Sequence, residues 1–505
     1  MQRLRELPLL VLLMALAGVA MLLPAAHAEM LHDHRVARAF VYGAVMVWVL
    51  AAMLAFVLVG RRQPLRARGQ ILTVAAPYLV LPPLLALPLL SGEGGGLPFR
   101  DAWFEMLSAF TTTGATLYGP PDLPRSVHLW RGLVGWLGGF YILVVALAVL
   151  APLNLGGMEV VSGRTPGRGA RGASQITEIA GMSERMARFA AGIFPIYGGL
   201  TLLLWIGLLM AGEVNLVALI HAMSTLSTSG ISPVGGLKAG TSGLAGEVLV
   251  FAFLALALTR LPLVWALGLG RSRRVTQDPE LRTALVILLA LPLFLLARLW
   301  WGAAASGQGG DFAAALNAWW GRMFMSLSFL TTTGFESASW AAGSAWAHQH
   351  PAGTAFWGLA ILGGGIATTA GGVKLLRVAA LFRHSTDELN RLVHPSAVAG
   401  AFGNSRQIAR EGIFLAWVFF MLFAMMIAVF VALLTILGQR FEGALVMTLA
   451  ALTNTGPLVT TMPDLVLPWA GLDSAERLVL GAAMVVGRLD TLAVVVLLLP
   501  DTWRG

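Results

Sequence analysis

Cysteine is missing from all 505 residues of this chain, so disulfides and thiolate-held metals are excluded. Charge is scarce as well. Asp, Glu, Lys and Arg make up 12% of the sequence, against roughly 25% in a soluble domain, which leaves too little solvated surface for a water-exposed globule. Lysine occurs only twice, as Lys238 and Lys374. The nine histidines are scattered and form no ligand-spaced pair on an apolar helix. No Walker or Rossmann glycine signature stands in a strand–turn–helix context, and no cluster of His, Asp and Glu offers an active-site constellation. These absences argue against an enzyme and against a cofactor held by this chain.

What is present is apolar. Hydrophobic residues make up 57% of the chain, with a mean hydropathy of +0.78, and many apolar runs approach the ~20 residues a membrane helix needs. The chain reads as an all-α polytopic membrane protein. Its net charge of +9 lies in Arg61–Arg68, Arg164–Arg171, Arg271–Arg274 and Arg377–Arg391. Arginine concentrated in short connections between apolar segments marks a cytoplasmic face, so nucleic acid is not the expected partner; membrane lipid is.

Residues 1–28 combine a basic start, an apolar stretch and an A-x-A-like end, as a secretory signal does. A retained first transmembrane helix is the expectation, with cleavage as the alternative. Either way, residues 37–60 start outside and end at the basic RRQPLRAR loop.

Four short polar phrases then recur: LSAFTTTG (107–114), MSTLSTSG (223–230), LSFLTTTG (327–334) and LAALTNTG (449–456). Each lies between two long apolar segments, near 71–91 and 130–152, 187–211 and 244–268, 281–302 and 354–380, and 410–437 and 474–499. Repetition at such a period signals stacked or ringed copies. The expected architecture is two N-terminal transmembrane helices (1–66) followed by four pseudo-symmetric helix–pore-helix–loop–helix repeats around one central pore. Their boundaries are 67–160, 161–272, 273–392 and 393–505. The middle piece of each unit is too short to cross; residues 101–111 make only about 16 Å of helix at 1.5 Å per residue. Irregular backbone at membrane depth is tolerated where it is buried in protein or lines a watery cavity, so the four loops are expected to meet on an axis. Ten crossings from an inside N-terminus put every loop outside and every arginine-rich connection inside.

A cation leaving water needs replacement oxygens, and rings of backbone carbonyls supply them in ion filters. Glycine permits the backbone angles that turn carbonyls inward, while Thr and Ser hydroxyls bond locally or add an oxygen. The helices before the loops aim partially negative C-terminal ends at the axis. The candidate filter is therefore Thr111, Thr112, Thr113 and Gly114; Ser227, Thr228, Ser229 and Gly230; Thr331, Thr332, Thr333 and Gly334; and Thr453, Asn454, Thr455 and Gly456. Close helix packing accounts for many other glycines but not for polar triplets at one recurring position. Glu336, just after the third loop, is either a charge that draws cations to the mouth or a solvated side chain.

These loops, with WLGGF (136–140), DPELR (278–282), ELNRLVHPSAV (388–398) and GRLDTLAVVVLLLPDTWR (487–504), resemble the Trk/Ktr/HKT superfamily of potassium transporters, nearest to its TrkH-type membrane subunits. The resemblance covers almost the whole chain. It implies potassium at the filter residues, one pore per chain, and a homodimer in the bacterial inner membrane with both termini cytoplasmic. It also implies a TrkA-like cytoplasmic ring that binds ATP or ADP, with NAD as an alternative, and gates the pore. Gly363, Gly364, Gly365, Ile366, Ala367, Thr368, Thr369, Ala370, Gly371 and Gly372 match the family's intramembrane gate loop, with Lys374 just below. Arg488 matches its pore-facing arginine. Read bottom-up, glycine and threonine at mid-membrane hold a straight helix poorly, and a charge there is a functional hypothesis by default. Close packing for the loop, snorkelling for Lys374 and a structural ion pair for Arg488 are the alternatives. Arg488 and Asp490 are two positions apart and do not share a helix face. STSGIS and TNTGPLV depart from the family pattern, which bears on potassium-over-sodium selectivity. The function expected is gated, channel-like potassium uptake driven by membrane potential, with a sodium- or proton-coupled symporter as the alternative.

Overall fold

The computed structural model describes residues 9–58, 67–90, 96–153, 155, 157, 182–260, 278–305, 312–346, 353–394, 410–461 and 469–490. Among them every regular element is helical. The extreme N-terminus, the basic stretches around 61–66, 164–171 and 271–274, and most of the C-terminal GRLDTLAVVVLLLPDTWR motif lie outside the described residues.

Helices α1 (Leu9–Met30) and α2 (His34–Leu58) form a hairpin. Its turn is closed by the Asp33 amide donating to the Ala28 carbonyl at 2.9 Å, and Trp48 Nε1 ties the two helices by donating to the Ala15 carbonyl at 3.1 Å. Helix α3 (Ala67–Leu85) carries Pro77, Pro82 and Pro83. It is followed by the short α4 (Phe99–Phe110) and by α5 (Arg125–Val145), which runs on through a π-turn at Ala146–Leu150. The buried Trp130 fixes α5. Its Nε1 donates to the Leu85 carbonyl at 3.0 Å, and its ring meets Phe40 edge-on at 5.8 Å.

The chain continues through α6 (Met182–Met210), α7 (Asn215–Ser227) and α8 (Gly243–Leu254). Next come α9 (Pro279–Ala305), α10 (Phe312–Leu330), α11 (Ala338–Trp346) and α12 (Thr354–Leu362). After an irregular stretch, α13 (Leu375–Val393) leads to α14 (Arg410–Ile436), α15 (Phe441–Leu452) and α16 (Ser474–Leu489). A capping box starts α16, where the Asp473 amide donates to Glu476 Oε2 at 2.7 Å.

Seven described segments are long and apolar enough to cross a membrane: Leu9–Met30, His34–Leu58, Gly69–Leu90, Arg125–Leu150, Met182–Met210, Pro279–Gly302 and Gly412–Ile436. Large apolar side chains such as Phe56, Val286 and Phe294 point outward, as lipid requires and water forbids. The chain is a multi-pass membrane protein. Of the other predicted crossings, 244–268 is helical to Leu254 and continues as a 3-10 turn to Leu258. Segment 354–380 is broken between Leu362 and Leu375. Segment 474–499 is helical to Leu489, where Asp490 takes a left-handed φ of 70°. The residues beyond 260 and 490 in the first and last of these are not described.

Candidate ion pathway

Helices α4, α7, α10 and α15 end in one shared backbone motif, although α10, at 19 residues, is longer than the short middle helix expected there. The third residue of each polar triplet donates its amide to a carbonyl five positions back: Thr113 to Ser108 at 2.8 Å, Ser229 to Ser224 at 3.0 Å, Thr333 to Ser328 at 2.9 Å and Thr455 to Ala450 at 2.8 Å. The second residue is left-handed in every case, with φ of 56° at Thr112, 51° at Thr228, 57° at Thr332 and 54° at Asn454. This is a Schellman-type helix end. The outer two hydroxyls hold it together. Thr111, Ser227, Thr331 and Thr453 donate back to the carbonyl four residues earlier, and each also bonds the hydroxyl two positions on.

The four loops close into a ring. Each glycine has positive φ or backbone against it: a Cβ at Gly114 would strike the Ser229 carbonyl oxygen, and one at Gly230 the Thr333 carbonyl oxygen. A Cβ at Gly334 would lie 2.9–3.1 Å from the Pro457 ring, and one at Gly456 would run into Ala115 and Gly114. The contacts therefore run from the first loop to the second, third and fourth and back to the first. The Gly456 amide completes that return by donating to the Thr113 carbonyl at 2.6 Å. Asn454 Nδ2 adds a bond to Thr113 Oγ1 at 3.0 Å and another to the Met484 carbonyl at 3.0 Å. The glycines of WLGGF let α5 lie against this ring, since a Cβ at Gly138 would collide with the Phe110 carbonyl.

On one side of the ring, all four glycines line a single cavity of about 200 Å³, together with Arg131, Lys238 and Glu336. Glu336 is neither free nor simply solvated. It pairs with Lys238 Nζ at 2.6 Å and accepts from the Thr460 hydroxyl. Buried acids brace the surrounding segments. Glu105 pairs with Arg131 at 2.8 Å and accepts from the Leu117 amide at 2.6 Å, and Glu247 accepts from Trp320, Ser337 and Ala338 at 2.8 Å each. Burial alone would raise the Glu213 carboxyl, but hydrogen bonds from Thr241 and Ser242 outweigh it and hold the group below its ordinary value. Tyr118 is pushed up to about 12 by burial and by the Asp101 carboxylate it bonds.

On the other side lies the break between α12 and α13. Its ends are clasped by the Val373 and Lys374 amides, which donate to the Ile361 and Leu362 carbonyls at 2.8 and 2.9 Å. Residues Gly363–Gly371 are buried, and their polar groups bond to several other segments of the chain. The Gly371 amide donates to Thr332 Oγ1 at 2.7 Å, Thr369 Oγ1 to the Leu226 carbonyl at 3.2 Å, and the Gly365 amide to the Ala257 carbonyl at 3.0 Å. The Ile366 amide is held by Glu280 Oε1 at 2.8 Å. From the last helix, Arg488 Nη1 donates to the Thr369 carbonyl at 2.7 Å. Lys374 Nζ turns back onto the Ala370 carbonyl. Asp490 pairs instead with Arg377 at 2.7 Å, while that guanidinium stacks on the Phe419 ring at 3.6 Å. Beyond the loop, Lys374, Arg377, Arg488 and Asp490 line a cavity of about 50 Å³.

The sequence matches the TrkH family, described as a cation transport protein, over residues 37–235 and 284–502. The chain belongs to the TrkH family. It is 30% identical over 442 residues to the Trk system potassium uptake protein TrkH of Salmonella typhimurium, covering 87% of each protein. To the protein of that name from Vibrio parahaemolyticus it is 28% identical over 500 residues, covering 98% of each. The fold is similar to the crystal structure of the potassium transporter TrkH from Vibrio parahaemolyticus, with a TM-score of 0.81 and 26% identity over the full length of both chains. Within this TrkH-family chain, sequence reasoning missed Glu105, Glu280 and Arg377 as braces of the loops. A signal existed: each is an ionisable residue inside or beside an apolar helix, where an unpaired charge is costly.

Proposed function

We propose that this chain conducts potassium inward across the bacterial inner membrane through a gated, channel-like pore; the names of its relatives supply the potassium uptake. The observation that carries this reading is the closed ring of four glycine-ended loops between a cavity and a buried irregular segment. In this reading residues 1–66 are two N-terminal helices, and 67–160, 161–272, 273–392 and 393–505 are four quarter-units. Thr111–Gly114, Ser227–Gly230, Thr331–Gly334 and Thr453–Gly456 supply the oxygens that replace water around the ion.

Residues Gly363–Gly372, with Lys374 and Arg488, form the gate. Their hydrogen bonds to the filter units and the cations just beyond them support a closed conformation, so opening requires the segment to withdraw. An inside-negative potential supplies about 2.3 kcal/mol per charge per 100 mV, enough to drive uptake with no second gradient. A homodimer with cytoplasmic termini and a TrkA-like nucleotide-binding ring complete the proposed assembly; ATP or ADP acts on the ring.

Flux into proteoliposomes tests the pore. Potassium uptake that follows an imposed voltage, in symmetrical sodium and pH, is the expected result. An absolute requirement for a sodium or proton gradient would replace this reading with a symporter.

A further inference from the structure

The middle position of each polar triplet poses a problem that helix capping does not solve. A left-handed helix end normally takes glycine or asparagine, and a β-branched residue with positive φ is a costly outlier. Yet Thr112, Thr228 and Thr332 all sit there, with φ between 51° and 57°. The first and third hydroxyls of the triplets are consumed in local bonds. The middle oxygens are not. Thr112 Oγ1, Thr228 Oγ1 and Asn454 Oδ1 are buried without a hydrogen-bond partner, in residues only 1% exposed. A buried polar atom left unsatisfied costs about 1–3 kcal/mol, and here three equivalent ones recur around one ring.

The fourth member differs. Thr332 Oγ1 accepts the amide of Gly371 from the intramembrane segment at 2.7 Å. A Cβ on Gly371 would strike the Thr453 carbonyl oxygen and come 3.6 Å from Asn454 Cβ, so the segment sits directly against the middle positions of two neighbouring units. The glycines line the cavity on the far side, which puts the middle side chains on the gate side of the ring.

We propose that the gate segment and a monovalent cation compete for the Thr332 hydroxyl. With the segment in place, the Gly371 N–H occupies that oxygen and presents the positive end of its dipole to the base of the filter. With the segment withdrawn, all four side-chain oxygens are free to ligate a partly dehydrated potassium ion. Linkage makes the effect reciprocal: the factor by which opening raises affinity at this subsite is the factor by which the ion favours opening. The inference rests on the pore reading above and adds a direct lock between filter and gate.

The absence of cysteine makes the test clean, because Thr368→Cys places a single thiol on the gate segment of the full chain in liposomes. Its modification by a charged methanethiosulfonate from the cytoplasmic side is expected to be several-fold faster in potassium than in choline. Thr332→Val should abolish that dependence and raise partner-free rubidium flux several-fold, and Thr332→Ser, which keeps the acceptor, should restore both. Equal modification rates in potassium and choline overturn the lock. So does a Thr332→Val protein that elutes as the parent does and leaks no more than it. Flux that demands a sodium or proton gradient would instead overturn the pore reading, and the thiol measurement would still decide the lock.

Discussion

Arg488 Nη1 donates to the Thr369 carbonyl across 119 positions of sequence, at 2.7 Å. The last helix thereby holds the buried break between α12 and α13 by a charged donor. Among the described residues no ion pair involves Arg488, because Asp490 goes to Arg377. In the proposed pore the guanidinium would combine two roles, a clamp on the segment and a positive charge beside the path.

Removing that clamp should open the path. Arg488→Ala is expected to raise partner-free potassium flux in proteoliposomes by about ten- to a hundredfold, the effect of losing a charge-assisted hydrogen bond of roughly 1.5–3 kcal/mol. Arg488→Lys, which keeps the charge without the planar fork, should lie between. Flux at or below the parent level would assign Arg488 a structural role only.

The glycine ring makes a sharper demand. Gly334 has φ of 80°, and a Cβ there would press on Pro457. Gly334→Ser is expected to lower the potassium-over-sodium flux ratio or abolish flux, while elution from a sizing column stays that of the parent. An unchanged ratio would remove the loops from the filter.

The Arg377–Asp490 pair is buried at 1% and 9% side-chain exposure. Breaking such a pair from one side leaves an uncompensated charge and costs about 3–5 kcal/mol. Asp490→Asn should therefore lower the melting temperature in detergent by several degrees. Arg377→Met combined with Asp490→Asn should recover part of the loss, since no lone charge remains. Equal melting of the parent and the single variant would refute the assignment.

At the mouth of the proposed pore, Lys238 pairs with Glu336 at 2.6 Å. Lys238→Gln should expose that carboxylate and raise potassium flux about two-fold at low ionic strength, with the gain fading above about 0.15 M salt as screening sets in. A gain that survives high salt would point to a cause other than local charge.

Composition and pattern were enough for the membrane character and for most of the apolar segments; the break in segment 354–380 came through the family resemblance, and the third of the expected short helices is in fact 19 residues long. These are local properties: scarce charge, apolar run length, and glycine where the backbone must turn. The recurring TTTG phrase likewise announced a shared helix end. What it left open was the fate of its hydroxyls, which either bond locally or face an ion. The fold decides this by position, consuming the first and third in the helix end and leaving the middle one to the ring or to Gly371. Partners for Glu336, Arg488 and Asp490 were equally illegible, because each comes from a distant part of the sequence and pairing is a matter of distance in space. Asn454 meets Thr113 across 341 positions, and only the tertiary contacts that close the four loops into a ring bring them together.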